Sequence, residues 1–346
     1  MRFGLGFLCL ALLNSGCSST GGTAATSAKS KLAPCLTPPR EVTTLYTGGV
    51  SGIAAVGDDI VIQGDGLVRV ALSTGQATPV AMVQDPSGLV ALDGTLYFTA
   101  EEPAGAPDAQ GKQPSEAVFQ SVPVDGGAPE PISGVTPGNL AHAVDDDSLY
   151  FDALASSSGG SAVMKLTPPS AEPVELALDG SILINAIAVH DGQVYVAGDD
   201  FKSSSQTQNG VIERIPKNGG RAERLVSDVG HPFALVADDS GLYWVEDPAG
   251  FGPAHVVHAG LDGSSRRELI EASDSSLALA AGRIYFSSDN LESIPTSGGE
   301  ATTLATDLKS PGMFLVAGGN LVWVDPVTKA LSDPTVPRLM TACLSD

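Results

Sequence analysis

Leu89-Val90-Ala91-Leu92-Asp93-Gly94-Thr95-Leu96-Tyr97-Phe98 decides the fold. Two short apolar runs are split by Asp-Gly, the pair best suited to a two-residue hairpin turn in which both residues take positive φ. The phrase recurs along the chain. It reads Ile53-Ala54-Ala55-Val56-Gly57-Asp58-Asp59-Ile60-Val61-Ile62 upstream. A third copy runs from Leu140 to Phe151 around Asp145-Asp146-Asp147. Later copies end in Val194-Tyr195-Val196, Leu242-Tyr243-Trp244, Ile284-Tyr285-Phe286 and Leu321-Val322-Trp323. Measured at positions 61, 97, 150, 195, 243, 285 and 322, the spacings are 36, 53, 45, 48, 42 and 37, with a mean of 43.5. A period of ~40–45 residues is that of a four-stranded propeller blade.

A second hairpin fills the rest of each repeat. Its clearest copies are Val122-Pro123-Val124-Asp125-Gly126-Gly127, Ile215-Pro216-Lys217-Asn218-Gly219-Gly220 and Ile294-Pro295-Thr296-Ser297-Gly298-Gly299. Gly-Gly supplies positive φ, and Pro marks a strand leaving its ladder. Four strands in each of seven repeats predict an all-β chain, a seven-bladed β-propeller of four-stranded antiparallel blades. The segment Glu41-Val42-Thr43-Thr44-Leu45-Tyr46 matches the fourth strand Glu300-Ala301-Thr302-Thr303-Leu304-Ala305. Little after Val327 looks like a fourth strand for the last repeat. The expectation is that the N-terminal strand completes that blade and closes the ring.

The 346 residues carry 18 Lys+Arg against 40 Asp+Glu, a formal charge of −22, with 42% hydrophobic residues. That apolar content supports a real core. The charge excludes a nucleic-acid binder, because the densest basic spot is only Arg266-Arg267.

Residues 1–16 read as a secretory signal. Arg2 gives the positive start, and Phe3 to Leu13 is an apolar run too short to span a bilayer. Asn14-Ser15-Gly16-Cys17 follows and resembles a bacterial lipoprotein signal, which implies lipidation of Cys17. Asn14 stands where that pattern prefers Leu. Ordinary cleavage near Ala25 or Ala28, giving a secreted or periplasmic soluble product, is the alternative. Ser18 after the Cys is similar to lipoproteins sent to an outer membrane. Residues 17–40 form a flexible tether rich in Ser, Thr, Gly and Ala before the propeller at 41–346. Cys9 leaves with the signal, so Cys35 and Cys343 remain at the two ends of the folded part. An exported chain favours a disulfide between them, the alternative being two free thiols. Two Cys with no His nearby are too few to hold a metal.

The aromatic pairs and the Pro-x-x-Gly-Gly turns resemble the repeats of YWTD and TolB-type β-propellers, as found in secreted bacterial lipoproteins. The resemblance covers residues 41–340. It implies architecture more than activity, because propellers host unrelated functions.

The chain spends its extra length between second and third strands: Ala100 to Ala117, Asp152 to Ala162, Gly198 to Asn209 and Glu246 to Ala254. Insertions gathered on one face of a repeat fold mark a binding face, the alternative being drift, since loops lengthen at little entropic cost. Its candidate residues are Glu101, Glu102, Asp152, Asp199, Asp200, Phe201, Glu246, Asp247, Phe251 and Asp289. Acidic residues recur just after the second strands, adding Asp65 and Asp325 to that set. They read either as a ring of carboxylates attracting a basic partner or as turn residues accepting backbone hydrogen bonds. Their uneven offsets favour the turn reading. The Asp clusters at 58–59, 145–147 and 238–239 read as solvated turns at the opposite end.

His142 and His231 fall at first strands, His190 at a hairpin turn, and His255 and His258 flank a third strand. No nucleophile elbow or helical metal motif appears. No catalytic residue, metal ligand or cofactor is assigned. The expected function is a non-catalytic scaffold binding an envelope protein, peptide or glycan, tied to the membrane through a lipid anchor only. The alternative is a propeller hydrolase or lyase with a small site in the central channel.

Overall fold

The computed structural model describes residues 40–41 and 50–344, apart from 107–112, 155–159, 171, 180, 204–208, 248–252, 273–275, 289, 307, 309–311 and 328–335. Strand β1 is Arg40–Glu41. Blade 1 holds β2 (Gly52–Val56), β3 (Asp59–Gly64), β4 (Gly66–Val70) and β5 (Ala77–Ala81). Blade 2 holds β6 (Ser87–Leu92), β7 (Thr95–Pro103), β8 (Ser115–Pro123) and β9 (Glu130–Pro131). Blade 3 holds β10 (Pro137–Val144), β11 (Leu149–Leu154), β12 (Ser161–Leu166) and β13 (Val174–Asp179). Blade 4 holds β14 (Ile182–His190), β15 (Gln193–Asp200), β16 (Gly210–Pro216) and β17 (Glu223–Val229). Blade 5 holds β18 (His231–Asp238), β19 (Gly241–Asp247), β20 (Ala254–Ala259) and β21 (Arg267–Ala272). Blade 6 holds β22 (Ala278–Ala280), β23 (Arg283–Ser287), β24 (Leu291–Pro295) and β25 (Thr302–Ala305).

These six blades are each made of four consecutive antiparallel strands. The last repeat departs from that plan. It supplies β26 (Gly312–Ala317), β27 (Asn320–Val327) and β28 (Val336–Cys343), and the fourth place in its sheet is taken by β1. There Arg40 lies opposite Thr341 and Glu41 opposite Met340. The rest of the expected N-terminal strand, residues 42–46, lies outside the described residues. First strands of neighbouring blades lie side by side, and β26 lies beside β2.

The recurring aromatic position sits on the second strand of each blade, which has strands on both sides and neighbouring blades on both faces. Both faces are buried, so its apolar run is continuous rather than alternating. Tyr150, Tyr195, Tyr243, Tyr285, Trp244 and Trp323 are all at most 1% exposed. Each burial contributes roughly 2–3 kcal/mol. Core clusters form between blades, not within them. Tyr195 and Ala197 of blade 4 pack with Leu242 and Trp244 of blade 5. Ile60 and Ile62 of blade 1 pack with Val322, Val324 and Leu339 of the last sheet.

The first hairpins turn as the sequence implies. Asp93 and Gly94 have φ of 46° and 71°, and Asp191 and Gly192 have 44° and 72°. Both pairs fit the two-residue turn whose twist matches the flanking strands. One expectation is corrected. Ala100 to Ala117 is less a loop than an extended ladder, because β7 and β8 run nine residues each and pair from Thr95↔Pro123 to Pro103↔Ser115. Backbone pairing carries that hairpin beyond its apolar part.

Candidate functional site

In an antiparallel blade the second-to-third-strand connection and the link to the next blade emerge at one end. The candidate binding residues that are described belong to this loop-bearing end, and the structure treats them differently. Glu102 is exposed and accepts a hydrogen bond from Gln120 Nε2, while Glu101 is half-buried opposite Ala117. Asp152 is buried on β11, with its carboxylate against Gly138 of β10, where a Cβ would lie 1.9 Å from Oδ2. It is a packed residue rather than a surface ligand. Asp247 is exposed and sits opposite His231. Phe251 and Asp289 lie outside the described residues, as do Cys17 and Cys35. Cys343 ends β28, and its side chain is outside them too.

Blades 4 and 5 give three of the acidic candidates charged or polar partners, in separate clusters. Asp200 Oδ2 accepts from Arg224 Nη1 at 2.8 Å, and Arg224 Nε donates to Glu213 Oε1 at 3.1 Å. Burial raises the Asp200 pKa, but the Arg224 hydrogen bond and the Lys202 backbone N–H outweigh it and hold the carboxyl below its ordinary range. Glu246 receives Arg266 Nη2 on both oxygens at 2.7 Å. It also accepts from the Gly230 N–H at 2.8 Å and from Trp244 Nε1 at 3.2 Å. Asp199 Oδ2 accepts from Asn185 Nδ2 at 2.8 Å and lies 2.6 Å from His231 Nδ1.

On these blades the acids form no free ring of carboxylates, because Asp200, Glu246 and Asp199 are matched by Arg224, Arg266 and His231. Among the described residues no group of three or more His, Cys, Asp or Glu could hold a metal ion. Sequence reading missed Asn185, Glu213, Arg224, Arg266 and the pairing of His231. The partners lie far along the chain, 24 residues from Asp200 to Arg224 and 47 from Asn185 to Pro232.

Two further expectations also change. Asp145 is no solvated turn residue. Its side chain is 19% exposed and accepts from Tyr150 Oη at 3.0 Å and Lys217 Nζ at 3.1 Å. His255 and His258 lie within β20 rather than flanking it.

The apolar side chains give the loop-bearing end a second character. Leu154, Leu183 and Phe201 are 48%, 36% and 50% exposed, and Met82 is 84% exposed. The first three follow one another across blades 3 and 4. Leu154 pairs with Ser161, whose Oγ accepts from the Ile184 N–H at 3.2 Å, beside Leu183. Leu183 pairs with Asp199, and the Phe201 N–H donates to Ser181 O at 2.9 Å.

No family profile and no curated protein matches the sequence. Solved structures share its fold. The β-propeller domain of the Trilobed protease from Pyrococcus furiosus is similar at 12% identity and a TM-score of 0.61, over 86% of this chain and 96% of that one. Oligogalacturonate lyase from Vibrio parahaemolyticus is similar at 10% identity and a TM-score of 0.61, over 88% and 93%. Putative TolB from Agrobacterium tumefaciens aligns at 12% identity and a TM-score of 0.46, over 65% and 82%. The chain is a β-propeller of four-stranded antiparallel blades.

Proposed function

We propose that this chain is an envelope-anchored propeller that acts as a non-catalytic scaffold and holds a protein, peptide or glycan at its loop-bearing end. One observation carries the reading. Of six large apolar side chains exposed among the described residues, four stand at that end: Met82, Leu154, Leu183 and Phe201. Exposed apolar anchors on a rigid frame, rimmed by charge-paired polar groups, suit recognition of a partner.

The anchor is Cys17, lipidated and joined to the propeller through the segment up to residue 40, at an outer membrane. The N-terminal strand closes the ring against the last sheet, and a Cys35–Cys343 disulfide fastens the same seam.

The test is crosslinking capture from native envelopes with the full lipidated chain. The control carries Leu154→Ser, Leu183→Ser and Phe201→Ser together. A specific partner held by the natural chain and lost with the control supports the scaffold. A partner held equally by both overturns the assignment of this face. Palmitate labelling lost on Cys17→Ser supports the anchor, and a soluble product cleaved near Ala28 sinks it.

A further inference from the structure

At the loop-bearing end, the boundary between blades 4 and 5 is crossed by side chains from both. Asn185 on β14 donates to Asp199 Oδ2 at 2.8 Å and to Pro232 O of β18 at 3.2 Å. The same Asp199 oxygen lies 2.6 Å from His231 Nδ1 at the start of β18. Backbones approach closely beneath this bridge. A Cβ on Gly210 would fall 2.0 Å from Gly230 O, and one on Gly230 would fall 2.1 Å from Asp247 O. The two partners differ in solvation. The His231 side chain is 54% exposed, while that of Asp199 is 15% exposed. The imidazole exchanges protons with bulk water, and the carboxylate that reads its charge does not sit in water.

We propose that Asn185, Asp199 and His231 form a proton-operated clasp across the boundary of blades 4 and 5, tight when the imidazole is protonated and looser when it is neutral. A protonated imidazole gives Asp199 a charge-assisted hydrogen bond, about twice as strong as a neutral one. Deprotonation leaves a largely buried carboxylate with a neutral donor and the Asn185 amide. Of the surrounding charges, that of Asp247 acts in the same direction. Asp247 on β19 stands opposite His231. Beside it, Glu246 is occupied by Arg266 and the Gly230 N–H. On β15, Asp200 is occupied by Arg224, which also holds Glu213 of β16. Along β18, Asp238 lies at the far end of the strand, and Phe233 packs its ring 5.7 Å from the imidazole.

The Asp199 hydrogen bond raises the His231 pKa above 6.5, and the charges of Asp199 and Asp247 add to it against partial burial. A pKa raised by folding contributes stability that is fully present below the unfolded value. That stability is lost as pH rises through the folded value.

The experiment is an NMR titration of His231 in the full chain, with amide hydrogen exchange along β18 on either side of its midpoint. The midpoint should lie above the ordinary imidazole value and fall in Asp199→Asn. Exchange in the first half of β18, corrected for intrinsic chemistry, should rise on crossing the midpoint. The rise should be at most about tenfold for each unit by which the pKa is raised. His231→Gln, at an exposed position, should abolish that step even if Asp199→Asn fails to fold. A His231 midpoint at or below the ordinary value, or a step that survives in His231→Gln, overturns the proposal.

Discussion

The two ends of the propeller are held together by different means. At the turn end the same device appears in blades 2, 4 and 6. The residue after Pro donates its N–H to the glycine carbonyl of the first hairpin turn: Val124 to Gly94 at 2.9 Å, Lys217 to Gly192 at 3.0 Å and Thr296 to Gly282 at 3.0 Å. The preceding blade then sends a cation onto the turn. Arg69 reaches Asp125 at 3.1 Å, Lys165 reaches Lys217 O at 3.4 Å and Arg267 reaches Ser297 O at 2.9 Å. At the loop-bearing end three boundaries use three different side chains. Gln63 Oε1 takes the Leu89 N–H at 3.1 Å, Ser161 Oγ takes that of Ile184 at 3.2 Å, and blades 4 and 5 share the Asp199–His231 pair. Backbone geometry fixes the turn end, so it repeats. Side chains hold the loop end, so it can change from blade to blade without disturbing the frame, the condition under which a fold acquires a binding face.

The sharpest way to break this comparison is to add a single methyl group at the turn end. Gly263 has φ of +80°, and its Cβ would lie 2.6 Å from Leu225 O of the neighbouring blade. Gly263→Ala should destabilise by about 3 kcal/mol, combining an unfavourable backbone region with overpacking against an immovable carbonyl. Gly94→Ala has φ of +71° but open space around its Cβ, and should cost only about 1 kcal/mol. Chemical denaturation of both variants checks the pair. Equal costs would mean that φ alone governs the turn end and contact between blades does not.

A pH experiment tests a further side-chain tie at the turn end, that of Asp145. Burial would raise the Asp145 pKa. Hydrogen bonds from the Asp147 backbone, Lys217 and Tyr150 outweigh it and bring it to about 2, from 3.8. A depressed carboxyl pKa contributes stability above the unfolded value, lost as pH falls from 3.8 through about 2. The amount at neutral pH is about 2 kcal/mol. Acid denaturation of the natural chain should show that loss, and Asp145→Asn should show almost none of it.

How much of this could be read beforehand follows from how local each feature is. The hairpin turns were legible because Asp93-Gly94 states its own backbone requirement. The repeat of four-stranded blades was legible because an aromatic residue on a strand buried on both faces leaves a periodic mark. Glu101, Glu102 and Ser115 to Ala117 looked like loop because their strand is held by backbone pairing and has no apolar pattern to announce it. The charge partners at the loop end were hidden for another reason. Arg224 and His231 meet Asp200 and Asp199 through the fold, and nothing within a window of sequence ties them together. Asp145 misled in the opposite sense, since three consecutive Asp look solvated until Tyr150 and Lys217 close over the first.

At the loop end, Ser161→Ala removes the acceptor for the Ile184 N–H, a buried donor, and should cost about 1–2 kcal/mol by the price of an unmade hydrogen bond. Thermal unfolding reads it directly. A cost near zero would show that water replaces the hydroxyl and that this boundary is held by packing alone.

The smallest effect belongs to Phe201. Its side chain is half exposed, and its backbone tie, the N–H to Ser181 O, does not depend on what the side chain is. Phe201→Ser should therefore change stability by no more than about 0.5 kcal/mol, the range of ordinary surface substitutions. A large aromatic ring that the fold does not need is free to serve the proposed partner. A loss of about 3 kcal/mol, as for a buried Phe, would reverse the inference. Phe201 would then be packing the loop end, the end would be structural like its opposite, and the apolar band with Leu154 and Leu183 would lose its claim as an anchor. Denaturation of Phe201→Ser beside the natural chain decides between the two before any partner is sought.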